Sequence, residues 1–119
     1  AWGFRNMQGL AFSTSGKLYT SEHGDAIEDE VNLIQKSGNY GWPVIEGKHD
    51  LPAEIEFAKT YQTLEPIRSW TPVIAPAGMT YYGSETVPEW KNTLLLTTLK
   101  GKSFRILYLS ADGLSIDSE

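Results

Sequence analysis

Cysteine is absent from this 119-residue chain. Neither a disulfide nor a thiolate zinc site can be built from it, and no redox compartment is marked. Basic charge is scarce: 10 Lys and Arg stand against 15 Asp and Glu, a net charge of -5. A surface of that sign repels phosphate backbones, which argues against a nucleic-acid partner. Long apolar runs are missing as well. The longest aliphatic run is Leu94-Leu95-Leu96, far short of the ~20 residues that cross a bilayer as a helix, so no membrane insertion is expected. No signal-peptide pattern opens the chain, and the expectation is a segment cut at both ends from something longer. Histidine is limited to His23 and His49.

What remains is an ordinary globular balance, 40% hydrophobic and 21% charged, in a length that suits one small domain. Four Trp, six Tyr and four Phe need a core or a ligand to cover them, which argues against disorder. Short strand patterns alternate with turn signals. Residues 8–12 and 17–22 read as a hairpin around Ser13-Thr14-Ser15-Gly16. Residues 31–35, 79–82, 93–99 and 104–109 read as further strands, the last with Phe104, Ile106 and Tyr108 on one face. Gly38-Asn39-Tyr40-Gly41-Trp42-Pro43 is a structured turn. Leu51, Ile55, Ala58 and Gln62 recur at helical spacing, leaving helix and loop both open for residues 50–62. Pro66, Pro72 and Pro76 keep the next stretch extended. With no long helix in competition, the class is all-β, built of short antiparallel strands as in a sandwich, barrel or propeller.

Two stretches repeat loosely: GLAFSTSGKLYTSEHG and GMTYYGSETVPEWKNTLLLTTLKG. Each is strand, polar turn, strand, and then a polar end with Gly. Such repetition suits propeller blades, whose inner strands bring side chains to a central channel. A further stretch raises a chemical question. In EHGDAIEDEVNLI, residues 22–34, five carboxylates and a histidine crowd the mouth of a strand. On composition alone a solvated acidic loop explains them.

Read in order, FRNMQGLAFSTSGKLYTSEHGD, DEVNLIQKSGNYGWPVIEG and IAPAGMTYYGSETVPEWKNTLLLTTLKGKSFRI closely resemble the soluble quinoprotein glucose and aldose sugar dehydrogenases, the glucose/sorbosone dehydrogenase family. The resemblance runs over nearly the whole chain. It implies a six-bladed β-propeller of which residues 1–119 are about two blades, so that the isolated segment would self-associate through its open edges. It implies pyrroloquinoline quinone (PQQ) and calcium as cofactors. It also implies oxidation of the anomeric hydroxyl of a sugar substrate, and export to the periplasm or out of the cell. The family's catalytic histidine lies on an earlier blade, so no catalytic residue is expected here. The alternative is a non-catalytic propeller that binds a ligand and keeps a structural calcium.

Residue by residue, the resemblance puts Arg5, Asn6 and Lys100 beside the quinone. His23 takes the position of a Gln or His that reaches it. Arg suits this role chemically, because its planar fork matches a carboxylate. Ala77 and Gly78 are either a quinone contact or an ordinary tight turn. Two calcium sites are implied. The carbonyls of Gly24 and Asp25 would hold the quinone's calcium, although Asp25 replaces the usual Pro. Glu30 and the Tyr40 carbonyl would hold a structural one, an oxygen set that suits a hard cation. Asp50 is a possible further ligand, and Glu28 and Asp29 are read as solvated or as helping the local field. Trp42 and Pro43 are expected between blades, Trp90 over a following strand and Trp70 at a blade edge.

Overall fold

A computed structural model describes all residues, 1–119. The chain forms two four-stranded antiparallel sheets, each a simple meander with strands in sequence order. The first sheet comprises β1 (Met7–Phe12), β2 (Leu18–Glu22), β3 (Asp29–Ile34) and β4 (Arg68–Trp70). The second comprises β5 (Pro76–Tyr82), β6 (Thr93–Thr98), β7 (Ser103–Leu109) and β8 (Ile116–Ser118). A four-stranded meander repeated side by side is the unit of a propeller, and the all-β antiparallel expectation holds.

The sheets meet face to face. Alternation along the strands sends Ala11, Tyr19, Val31 and Trp70 of the first sheet inward. Met79, Leu94, Leu96, Leu107 and Leu109 of the second sheet meet them in one core. At ~25 cal/mol per Å² of apolar area, this burial is the main stabilising term. β1 lies beside β5, and the approach requires a glycine. A Cβ at Gly9 would stand 2.8 Å from that of Met79.

Both inner strands begin with an irregular register, between Met7 and Gly9 in β1 and between Pro76 and Met79 in β5. Such bulges re-aim side chains at the ends of sheets and recur beside binding sites. The loose sequence repeat therefore corresponds to two equivalent hairpins, each starting from a bulge.

Four details depart from the sequence reading. β3 starts at Asp29 rather than Val31, which moves two carboxylates from the loop into the strand. β5 starts at Pro76, so Ala77 and Gly78 sit in a bulged strand rather than a tight turn. The short β4 and β8 carried too few residues to show a period. The helix exists as α1 (Pro52–Tyr61), but its buried residue is Glu54, while Leu51 and Ile55 are exposed. The Glu54 carboxylate turns back to accept the Leu51 N–H at 3.1 Å and the Glu46 N–H at 3.4 Å. Satisfying those donors outweighs burying the apolar stripe.

The aromatics are structural in the main. Trp90 lies 6.0 Å from Tyr82 and 6.1 Å from Phe104, pinning its turn over β7. Trp70 is buried in the core, and its indole N–H donates to Glu119 at 3.1 Å. The Arg68 and Arg105 guanidinium groups stand over its ring at 5.6 and 5.8 Å.

Candidate functional site

Antiparallel pairing places the starts of β1 and β5 and the ends of β2 and β6 at one end of the molecule. Most residues singled out from the sequence lie on the loops of this rim. Arg5 and Asn6 lead into β1, and both are exposed. Their backbone is held from below by the buried Glu22. Its Oε1 accepts the Asn6 N–H at 3.0 Å and also the Arg5 N–H. The Arg5 guanidinium bonds Asp25 at 2.8 Å and lies 5.5 Å over the Trp42 ring.

His23 follows β2. Its N–H donates to the Asn6 carbonyl at 3.0 Å, and its Nε2 meets the Pro76 carbonyl at 2.6 Å. A carbonyl only accepts, so Nε2 carries the proton and Nδ1 is the nitrogen left for any ligand. The Ala77 carbonyl accepts Ser21 Oγ at 3.0 Å and the Gly78 carbonyl accepts Thr97 Oγ1 at 3.1 Å. Above Gly78 there is open space, since a Cβ there would meet only Thr97 Oγ1 at 3.8 Å. Lys100 is exposed in the turn after β6, with its N–H on the Ile74 carbonyl at 3.1 Å.

Behind the rim lies a small cavity of about 10 Å³, room for one water or one bare ion. Its lining brings together Arg5, His23, Gly24, Glu30 and Tyr40, with Glu22, Trp42 and Glu46 beside them. The chain closes it by returning over the first sheet after β3. Phe4 stacks on Tyr40 at 4.5 Å, and Ile45 is buried beneath. Across β2 and β3, Glu22 pairs directly with Glu30. Two like charges in one dry place disfavour ionisation. Burial, only partly offset by the Asn32 amide, pushes Glu30 from its ordinary 4.5 to about 7. Burial also raises Glu22, against the opposing amides of Arg5 and Asn6.

Asn32 donates to Glu30 at 2.8 Å and to Glu22 at 3.4 Å, while its own buried Oδ1 has no partner. The carbonyls of Tyr40, Gly24 and Asp25 accept no hydrogen bond. No three carboxylate or imidazole side chains gather as a metal centre. The lining offers a hard oxygen set, the Glu22 and Glu30 carboxylates and Tyr40 with its free carbonyl. That donor chemistry suits calcium rather than zinc or copper. Asn6, Asp25, Ala77, Gly78, Lys100 and Asp50 do not line this cavity. A second, open hollow of about 390 Å³ runs along α1 past Phe57 and Tyr61 and includes none of the expected residues.

Of the two readings of Glu28 and Asp29, solvation fails for Asp29 and holds only in part for the half-buried Glu28. Asp29 is 2% exposed, because it belongs to β3. Glu28 accepts the Lys48 N–H and Ser69 Oγ, both at 3.2 Å, and burial raises its pKa. Glu22, Asp29 and Asn32 were not identified from the sequence as parts of the site. The available signal was the period of two: in β3, Glu30 and Asn32 share one face, Asp29 and Val31 the other.

Comparison with known proteins identifies the family. The family model described as Glucose / Sorbosone dehydrogenase matches residues 1–119. The aldose sugar dehydrogenase YliI of Escherichia coli is 34% identical over 98% of this chain and 33% of its own length. The quinoprotein glucose dehydrogenase B of Acinetobacter calcoaceticus is 31% identical over 87% of this chain and 33% of its own. The PQQ-bound aldose sugar dehydrogenase of Streptomyces coelicolor superposes with a TM-score of 0.75 at 28% identity. That superposition covers 98% of this chain and 30% of the solved one. The chain thus spans about a third of the length of the relatives it matches.

Proposed function

We propose a function from a plain premise: this chain belongs to the glucose/sorbosone dehydrogenase family, matched over residues 1–119. It is about two blades of a longer propeller that oxidises the anomeric hydroxyl of an aldose with PQQ and calcium, and is exported. The outward Leu10, Phe12 and Phe104, each more than half exposed, support neighbouring blades on both sides. The observation that carries the reading is the rim. Arg5, His23, Gly24, Gly78 and Lys100, scattered over 96 positions of sequence, come to one end of two adjoining sheets.

The residues fit the group they would hold. PQQ carries three carboxylates and an ortho-quinone, and would supply the two-electron acceptor for the sugar. Arg5 and Lys100 offer cationic donors to its carboxylates or carbonyls. Open space over Gly78 admits a flat ring, and His23 Nδ1 can meet a polar edge. The unpaired carbonyls of Gly24 and Asp25 are available to a cation shared with the quinone. Glu30 and the Tyr40 carbonyl would hold a second calcium, which removes the cost of burying Glu30 as an anion. Proton abstraction from the sugar falls to a group outside these residues, because the family's catalytic histidine lies on an earlier blade, and His49 is engaged with Thr63.

One observation favours the alternative, a binding module without turnover: the Arg5 guanidinium is already paired with Asp25 at 2.8 Å. Reconstituting the full-length protein with PQQ and calcium, and following dye reduction with aldoses, separates the two. Turnover above a PQQ-only blank is expected. Bound PQQ without turnover would leave the binding module.

A further inference from the structure

Asp29 is a buried carboxylate with no cation beside it. Its charge is answered by three backbone amides, one from the turn just before β3 and two from a segment some 45 positions on. Oδ1 accepts the Gly24 N–H at 2.9 Å, and Oδ2 accepts the Ile74 and Ala75 N–H groups at 2.6 Å each. The second loop carries the tie onward. The Ile74 carbonyl accepts the N–H of Lys100 at 3.1 Å and of Gly101 at 3.2 Å, and the Ala75 carbonyl accepts the N–H of Leu99 at 2.9 Å. The next carbonyl, Pro76, meets His23. Ala75 has φ 54°, a left-handed conformation that a non-glycine residue keeps only when its surroundings enforce it. Both amides that fix it there, its own and that of Ile74, end on Asp29.

We propose that Asp29 is the positioning residue of the rim. Its single carboxylate locks the 23–25 turn, the 74–76 segment and, through that segment, the 99–101 turn into one geometry. The inference rests on the cofactor reading of those loops. It adds a residue that would touch neither quinone nor sugar and acts only through the backbone groups and side chains that do. An aspartate is needed rather than an asparagine. Both oxygens accept, and an amide nitrogen facing the Gly24 N–H would set donor against donor.

The test uses full-length protein, wild type, Asp29→Asn and Leu107→Ala, the last a core change remote from the rim that lowers stability alone. Amide exchange, PQQ affinity in calcium and the absorption band of bound PQQ at saturation are measured for each. Asp29→Asn should keep the same circular dichroism, exchange faster at Gly24, Ile74 and Ala75, bind PQQ about tenfold more weakly, and shift the band. Leu107→Ala should bind PQQ as wild type does. Equal affinity and an unshifted band in Asp29→Asn, or an equal loss in Leu107→Ala, would overturn the inference. Wild-type protein that takes up no PQQ would instead remove the cofactor reading on which it stands.

Discussion

The two sheets share one plan and use it differently. Each is a four-stranded meander whose inner strand starts from a bulge. In the second, β6 buries Leu94, Leu95 and Leu96 and β7 buries Leu107 and Leu109. In the first, β2 and β3 bury Thr20, Ser21, Glu22, Asp29 and Asn32. Apolar burial holds the second sheet in place. The first spends buried positions on polar groups, each of which must find a partner or cost stability. Glu22 and Asp29 find theirs in the backbone amides of the rim loops, which is why the polar sheet also shapes the site.

The contrast can be broken most severely in the apolar sheet. Leu107→Ala removes a side chain with no exposure and should cost about 2–5 kcal/mol in urea unfolding. The rim loops should keep their amide protection.

A smaller effect is expected from pH. Glu30 has a pKa raised to about 7 in the folded chain from 4.5, so the fold binds its proton more tightly than the unfolded chain does. Its contribution is fully present below pH 4.5 and is lost as pH rises through 7. Metal-free protein should therefore lose up to about 3 kcal/mol across that window. Added calcium should flatten the loss. A metal-free profile without this slope would put Glu30 in a wetter place than the cavity.

Next comes Arg5→Ala in the full-length protein. Losing a charged hydrogen bond to a carboxylate should weaken PQQ binding by on the order of 2 kcal/mol, read by titration. Unchanged affinity would leave Arg5 as a partner of Asp25 and Trp42 alone. Smallest of all is Glu85→Gln at the exposed Lys91–Glu85 pair of the second sheet. Solvent screens such pairs, so no change in melting temperature is expected from calorimetry.

Fold class and strand pairs were readable because alternation and turn residues are local. The repeat was readable because each hairpin carries the same order of signals. The buried carboxylates were not. Asp29 is charged, and its burial depends on Ile74 and Ala75, some 45 positions on, a closure that no local pattern encodes. Glu22 was read at the end of a strand, but its burial was missed for the same reason, since the amides it serves lie 16 and 17 positions earlier. The rim residues were found through family resemblance. Spacing alone left Arg5 and Lys100 as surface charges.

The central claim is that the acidic stretch is built to hold a cation rather than merely solvated. Thermal unfolding of wild type, Glu30→Gln and Glu28→Gln, each with calcium and with a chelator, tests it most directly. Calcium at 100 times its dissociation constant should stabilise wild type by about 2.7 kcal/mol through mass action. Glu30→Gln should lose most of that gain. Glu28→Gln, outside the cavity lining, should unfold earlier in both conditions yet keep the calcium response. An equal calcium response in wild type and Glu30→Gln would contradict the account.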